Sequence, residues 1–186
     1  IHVVLPATPY DALGLLREAF TKEDPVLFSE HALLYRLKGE VANEHYTVPF
    51  GQADIKRRGS DVTLVAYSRM VHVALDAAQV LAEQGIETEV VDLRTLRPLD
   101  METIFQSVRK TNRVAVIEEA WRTGGFAAEV AAQIHEACFD YLDGPVARIA
   151  GEDVPQPYAI NLERASIPDA KKVVATLAKV VGVKGG

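Results

Sequence analysis

The stretch 61-DVTLVAYSRMVHVALDAAQVLAEQGIETEVVDL-93 decides the fold. It opens on "DVTLVAY", whose near-continuous apolar run marks a strand covered on both faces. Val71, Leu75, Ala78 and Leu81 then recur at helical spacing, and Gly85 suits the helix stop. "TEVVDL" follows as a second apolar strand. Strand, helix and strand in that pattern predict a mainly parallel sheet with helices on both faces, an α/β fold.

The alternation continues downstream. Asp100 is placed to cap a helix carrying Ile104, Phe105 and Val108. "RVAVIEE" reads as a third strand, and the helix after Gly124-Gly125 repeats Phe126, Val130, Ile134 and Cys138 at i+4 steps. "PVARIA" is a fourth strand, and a terminal helix carries Val173, Leu177 and Val180. Residues 61–186 are therefore expected to form one domain, without internal repeats or low-complexity tracts.

Upstream the character changes. Residues 36–60 are polar, with a turn-like Gly59-Ser60, and predict a connector ending in a hairpin in which Ala53 and Ile55 face inward before "VTLVAY" returns. A domain boundary is expected there. Residues 1–35 read as strand, helix and strand: "HVVLPA", then Thr8 as N-cap, Pro9 at the first helical position and Asp11 in the first turn, then "DPVLFSE". One such unit cannot make a sheet alone, and Ile1 opens in mid-strand. Sequence is expected upstream, with residues 1–35 the end of a second α/β domain that has lost its sheet neighbours.

Composition excludes several classes. The chain has 186 residues, 48% apolar and 25% charged, as soluble globular proteins do. A formal charge of −6 provides no basic footprint for nucleic acid or an anionic membrane. No run approaches the ~18 to 20 apolar residues of a membrane span. The lone Cys138 rules out an internal disulfide and a cysteine zinc cluster, favouring a reducing compartment. No secretory leader pattern precedes the first strand.

The candidate chemistry is sparse. Gly124-Gly125 lies between a strand and a helix, where backbone N–H groups could hold an anion. Without G-x-G-x-x-G or G-K-[ST], a tight turn for close helix–strand packing is the better reading. Ser68, His72 and Asp76 share a helical face, but residues strung along one helix do not converge on one reacting atom. Ser68 as a helix cap and His72 as a surface or interface histidine are expected instead. Glu30-His31 and Glu118-Glu119 stand at carboxyl ends of parallel strands, where ligands bind in open sheets. Paired acids there could transfer protons, or pair with arginines such as Arg36, Arg94 or Arg122. His2, His45 and His135 show no transition-metal spacing.

At these residues a family comes into view. "SDVTLVAYSRMVHVALDAAQVLAEQGIETEVVDLRTLRPLDMETIFQSVRKTNRVAVIEEAWRTGGFAAEV" resembles the C-terminal domain of the transketolase superfamily. "YLDGPVARIAGEDVPQPYAINLERASIPD" resembles the beta subunit of thiamine-diphosphate-dependent 2-oxo acid dehydrogenases. "LPATPYDALGLLREAFTKEDPVLFSEHALLYR" is similar to the end of that subunit's pyrimidine-binding domain. The resemblance implies an assembly of alpha and beta subunits in which thiamine diphosphate and magnesium decarboxylate a 2-oxo acid. The acyl group then passes to a lipoyl acyltransferase.

In that family the residues acting on the cofactor lie before the stretch matched here. The resemblance therefore implies no catalytic and no cofactor-binding residue in this chain, which alone is expected to be inactive. It implies a potassium ion on backbone carbonyls of Ala19, Phe20, Lys22 and Asp24, although Lys22 stands where pyruvate-type members carry Asp. It further implies three partners: the alpha subunit, a second beta subunit, and the basic subunit-binding domain of the acyltransferase. Glu30, His31 and Asp143 are the expected interface residues. "PQPYAINLE" with "SIP" favours pyruvate, while "LLYR" and "HEACFDYL" also look like the branched-chain enzyme. A stand-alone partner-binding module is the reading from a different class, and a deoxyxylulose-phosphate synthase or transketolase fragment a third. The resemblance places the protein in a bacterial cytoplasm or an organelle matrix.

Overall fold

The computed structural model describes residues 1–182. Its centre is a five-stranded sheet in the order β3-β5-β4-β7-β8. The strands are β3 (Asp54–Arg57), β4 (Val62–Ala66), β5 (Thr88–Asp92), β7 (Val114–Trp121) and β8 (Ala147–Gly151). β4, β5, β7 and β8 run parallel, and β3 adds antiparallel to β5. Every residue of β4 and β5 is buried, so neither strand shows a solvent-facing alternation, and their polar members Thr63, Thr88, Glu89 and Asp92 are buried as well.

Adjacent residues of each strand feed opposite faces of the sheet. Leu64, Val90 and Ile117 pack under α2 (Met70–Ala82) and α6 (Ala170–Val181), against Leu81 and Leu177. Val65, Val91 and Val116 pack under α3 (Met101–Thr111) and α4 (Phe126–Cys138), against Ile104 and Ile134. The predicted α/β architecture is thus present, with helices on both faces. The Asp100 carboxylate caps α3, accepting the Thr103 N–H at 3.1 Å. A polar stripe fixes that helix: Ser107 and Thr111 each meet the Thr63 hydroxyl at 2.7 Å, Ser107 donates to buried Glu89 at 2.6 Å, and Lys110 closes over the same carboxylate.

A second sheet has the order β2-β1-β6, from β1 (His2–Val4), β2 (Val26–Phe28) and β6 (Thr95–Arg97). β1 and β2 are parallel, as a strand–helix–strand unit requires, and the intervening α1 (Pro9–Ala19) starts as expected: Thr8 accepts the Asp11 N–H at 3.1 Å. The other neighbour of β1 is β6, which pairs antiparallel from beyond β5. Residues 1–35 therefore have a sheet neighbour within this chain. Three residues are too few for β6 to leave a periodic signal.

The predicted hairpin is replaced by a crossing. β3 pairs with β5, Asp54 opposite Asp92 and Ile55 opposite Val91, so β5 lies between β3 and β4. The turn at Gly59-Ser60 does not fold back; it passes over the start of β5. Ser60 and Asp61 both donate N–H to the Glu87 carbonyl, at 3.0 and 2.9 Å. The connector is also packed. Val48 donates to the Gly14 carbonyl at 3.1 Å, and a Cβ on Gly14 would lie 2.8 Å from the Tyr46 ring. A short helix, α5 (Ile160–Ser166), was not expected from the pattern.

Candidate functional site

The long strand β7 carries the adjacent acids Glu118 and Glu119 at its carboxyl end. Glu118 is fully buried and accepts the Tyr67 hydroxyl and the Ala127 N–H, both at 3.0 Å. Ala127 lies in the first turn of α4, whose N-cap, Gly125, offers no side chain. The Glu118 carboxylate is thus the anion that the N-terminus of α4 favours. Burial, and then the Glu118 charge, push the Tyr67 phenol above its ordinary value. A Cβ on Gly125 would overlap Glu118 Oε1 and the Trp121 carbonyl, and would lie 2.9 Å from Glu118 Cδ. The glycine pair is a packing turn around an internal carboxylate.

Glu119 points the other way. Arg69 donates to its Oε1 at 2.6 Å, and His31 Nε2 lies 3.0 Å from its Oε2. His31 Nδ1 accepts the Leu33 N–H at 3.2 Å, so the Nε2–H tautomer satisfies both contacts. Two strand ends, separate in the sequence, therefore meet through His31 and Glu119. The arginine is Arg69, which the pattern did not single out, rather than Arg36, Arg94 or Arg122. Arg94 is drawn to Asp11 and Asp54, and Arg122 to the Arg148 carbonyl. Glu30 remains exposed, accepting the Tyr35 hydroxyl at 3.4 Å. The cluster borders a groove of about 740 Å³ that Ile160, Glu163 and Arg164 of α5 also line. With both imidazole nitrogens engaged, the His31–Glu119 pair joins two parts of the chain and leaves no ring nitrogen for a substrate.

Ser68, His72 and Asp76 do not converge. Ser68 has φ of +52° and is not the cap; α2 starts from Arg69 without a side-chain cap, and the Ser68 carbonyl accepts the Val71 N–H. His72, expected as a surface or interface histidine, is half-buried, with Nε2 2.6 Å from the Ala7 carbonyl, and so pins α2 to the segment between β1 and α1. Asp76 is exposed.

The loop after α1 is the place where the resemblance implies a potassium ion. Lys22 Nζ lies 2.5 Å from Glu18 and 5.5 Å from the Phe50 ring centroid. The Ala19 carbonyl accepts the Lys22 N–H at 3.2 Å, Phe20 is the C-cap of α1, and Asp24 lies 3.6 Å from His2. A cation on these carbonyls would sit beside the Lys22 ammonium, so the residues present fit potassium poorly. Among the described residues no group of three or more His, Cys, Asp or Glu is placed to hold a metal ion such as magnesium. The α4 N-terminus does not fit the diphosphate of a thiamine cofactor either, because Glu118 already supplies a fixed negative charge there. Asp143, beyond α4, pairs with Arg113 at 3.1 Å, on a chain segment where Phe139 is 71% exposed and Tyr141 48%.

Comparison with known proteins gives these features a context. The transketolase C-terminal domain family matches residues 51–173. The chain is 48% identical over 178 residues to the mitochondrial pyruvate dehydrogenase E1 component subunit beta-2 of Oryza sativa subsp. japonica, covering 94% of this chain and 47% of that one. It is 47% identical over 179 residues to the 2-oxoisovalerate dehydrogenase subunit beta of Bacillus subtilis, covering 95% and 55%. The chain therefore spans about half the length of these relatives. A solved structure described as a split gene transketolase, inactive beta4 tetramer, superposes with a TM-score of 0.78 at 28% identity, over 99% of this chain and 58% of that one. Among the described residues no helix is long and apolar enough to cross a membrane.

Proposed function

The chain belongs to the transketolase C-terminal domain family, and we propose that it is the assembly half of a 2-oxo acid dehydrogenase beta subunit, of the pyruvate type. The observation that carries this reading is the identity of 48% across 94% of the chain. In the proposal, residues 1–35 end a pyrimidine-binding domain, residues 36–60 link, and residues 61–186 form the C-terminal domain. The parent enzyme decarboxylates its 2-oxo acid on thiamine diphosphate, held with magnesium between alpha and beta subunits, and passes the acyl group to a lipoyl acyltransferase. No step of that chemistry is routed through the residues described here. Mitochondrial and bacterial relatives support an organelle matrix or a bacterial cytoplasm as the compartment.

The work of this segment is to hold partners. Trp121, Val154, Tyr158, Ile160 and Leu162 expose large apolar area along the end of β7 and the approach to α5. Such area, concentrated along one part of the chain, suits a permanent subunit contact, with the alpha subunit or a second beta subunit. Glu30 and His31 stand at the same strand ends and join that contact. Phe139, Tyr141 and Asp143 form an aromatic and acidic edge suited to a basic domain, the subunit-binding domain of the acyltransferase. The relative acting on 2-oxoisovalerate is nearly as similar, so a branched-chain substrate is the second reading.

Calorimetric titration with an isolated acyltransferase subunit-binding domain tests the docking half of the proposal. The expected result is binding that weakens with salt and drops at least tenfold in a Phe139→Ser, Asp143→Lys double variant. Absence of binding by the unaltered chain would overturn it.

A further inference from the structure

We propose that Asp11, Asp54, Asp92, Lys56 and Arg94 form a proton-gated lock that couples the three-stranded sheet and α1 to the five-stranded sheet. Asp11, on α1, is fully buried and lies 2.5 Å from Lys56 Nζ and 2.6 Å from Arg94 NH2. Asp54, on β3, meets the same two cations at 2.7 and 2.9 Å. Asp92, the last residue of β5, is fully buried; its Oδ1 accepts the Arg94 N–H at 3.0 Å. Its Oδ2 lies 3.7 Å from Lys56 Nζ and has no hydrogen-bond partner. Lys56 and Arg94 are themselves only 13% exposed.

Three carboxylates against two cations leave one negative charge in excess, and water reaches the cluster mainly at Asp54, leaving Asp11 and Asp92 fully enclosed. An uncompensated buried charge is expensive, and a carboxyl group in that position avoids the cost by holding a proton. The geometry says which one holds it. Asp11 gains hydrogen bonds from Lys56 and from the Thr8 hydroxyl at 2.6 Å; these, with the charges of Lys56 and Arg94, outweigh its burial and keep it below the ordinary range. Asp54 is more exposed, at 37%. Asp92 has the weakest pairing, and burial, aided by the neighbouring Asp11 charge, pushes it up to about 7 against the attraction of Lys56 and Arg94.

A carboxyl group whose folded value lies above its ordinary 3.8 stabilises the docked form most at low pH, and that contribution is lost as pH rises to about 7. Above neutrality the seam carries the extra charge and opens more readily. β1 is tied to the rest of the chain by its pairing with β6, the strand that follows β5 in the chain, and by His72 of α2 on the Ala7 carbonyl, so opening there frees β1 and α1 together.

Hydrogen exchange on the intact chain tests this, with the amides of β1 and α1 read against those of β4 and corrected for intrinsic rates. Between pH 6 and 8.5 the relative protection of β1 and α1 is expected to fall about tenfold, the stabilisation lost when a group titrating near 7 in the docked form gives up its proton. Asp92→Asn should abolish the step. Asp54→Asn, which leaves two carboxylates facing two cations, should move it below pH 6 and serves if the first variant does not fold. Protection that ignores pH in the unaltered chain, or a step that survives in either folded variant, overturns the lock.

Discussion

Substituting alanine for each glycine of the Gly124-Gly125 pair separates two physical causes at neighbouring positions. At Gly125 the new Cβ would overlap Glu118 Oε1 and the Trp121 carbonyl, and backbone at the end of β7 cannot yield without shifting the strand. Overpacking of this kind costs about 1–3 kcal/mol. If Glu118 withdraws, the Ala127 N–H loses a charged acceptor, worth about 1.5–3 kcal/mol. The two routes are alternatives, so the expected loss for Gly125→Ala is about 2–3 kcal/mol. At Gly124 a Cβ meets nothing within 4 Å, and the φ of +74° supplies the only penalty, about 1–2 kcal/mol. Urea unfolding of both variants gives the comparison. Far-ultraviolet dichroism and tyrosine absorbance should move together, because Tyr67 bonds the same carboxylate. A Gly125 variant as stable as the Gly124 variant would refute the claim that Glu118 fills this turn.

Glu89→Gln should cost about 1–3 kcal/mol at pH 7, because the buried amide leaves Lys110 and Ser107 poorly matched. Burial would raise the Glu89 carboxyl, but the hydrogen bonds of Lys110 and Ser107 hold it below the ordinary 4.5; its contribution is full above that value and lost as pH falls through the lowered one. Urea midpoints at pH 7 and pH 3 should therefore converge for the two proteins, and a constant gap would count against the pairing. A chain starting at residue 61 lacks β3 and leaves an edge of β5 bare, so it should unfold at lower urea than one starting at residue 51. Equal midpoints would show that β3 adds no stability to the sheet.

The parallel sheet and its helices were legible because their signals are local. Each strand of "DVTLVAY" type is buried on both faces, each helix repeats at i+4, and Thr8 and Asp100 cap where their chemistry predicts. What escaped was determined by distant contacts. β6 spans three residues, and its existence depends on β1 some ninety positions earlier. The hairpin reading of residues 53–67 failed because the turn at Gly59 leads the chain across β5, and nothing in residues 53–67 reveals β5. Arg69 and Arg94 were not separable by sequence: both follow a strand end, yet one reaches Glu119 and the other Asp11. Asp92 did carry a signal, a carboxylate directly after the apolar pair Val90-Val91 in a strand buried on both faces. Its meaning needed Lys56 and Asp11, which fold onto it from other elements.

Sedimentation of the chain alone across micromolar concentrations tests the central claim, that this segment exists to hold partners. The exposed apolar groups from Trp121 to Leu162 should drive self-association, giving species at multiples of the 20.3 kDa chain mass. Replacing Tyr158, 105% exposed and so free of any role within the fold, by Asp should shift the mixture toward monomer. A strictly monomeric chain, unaffected by that substitution, would contradict the account.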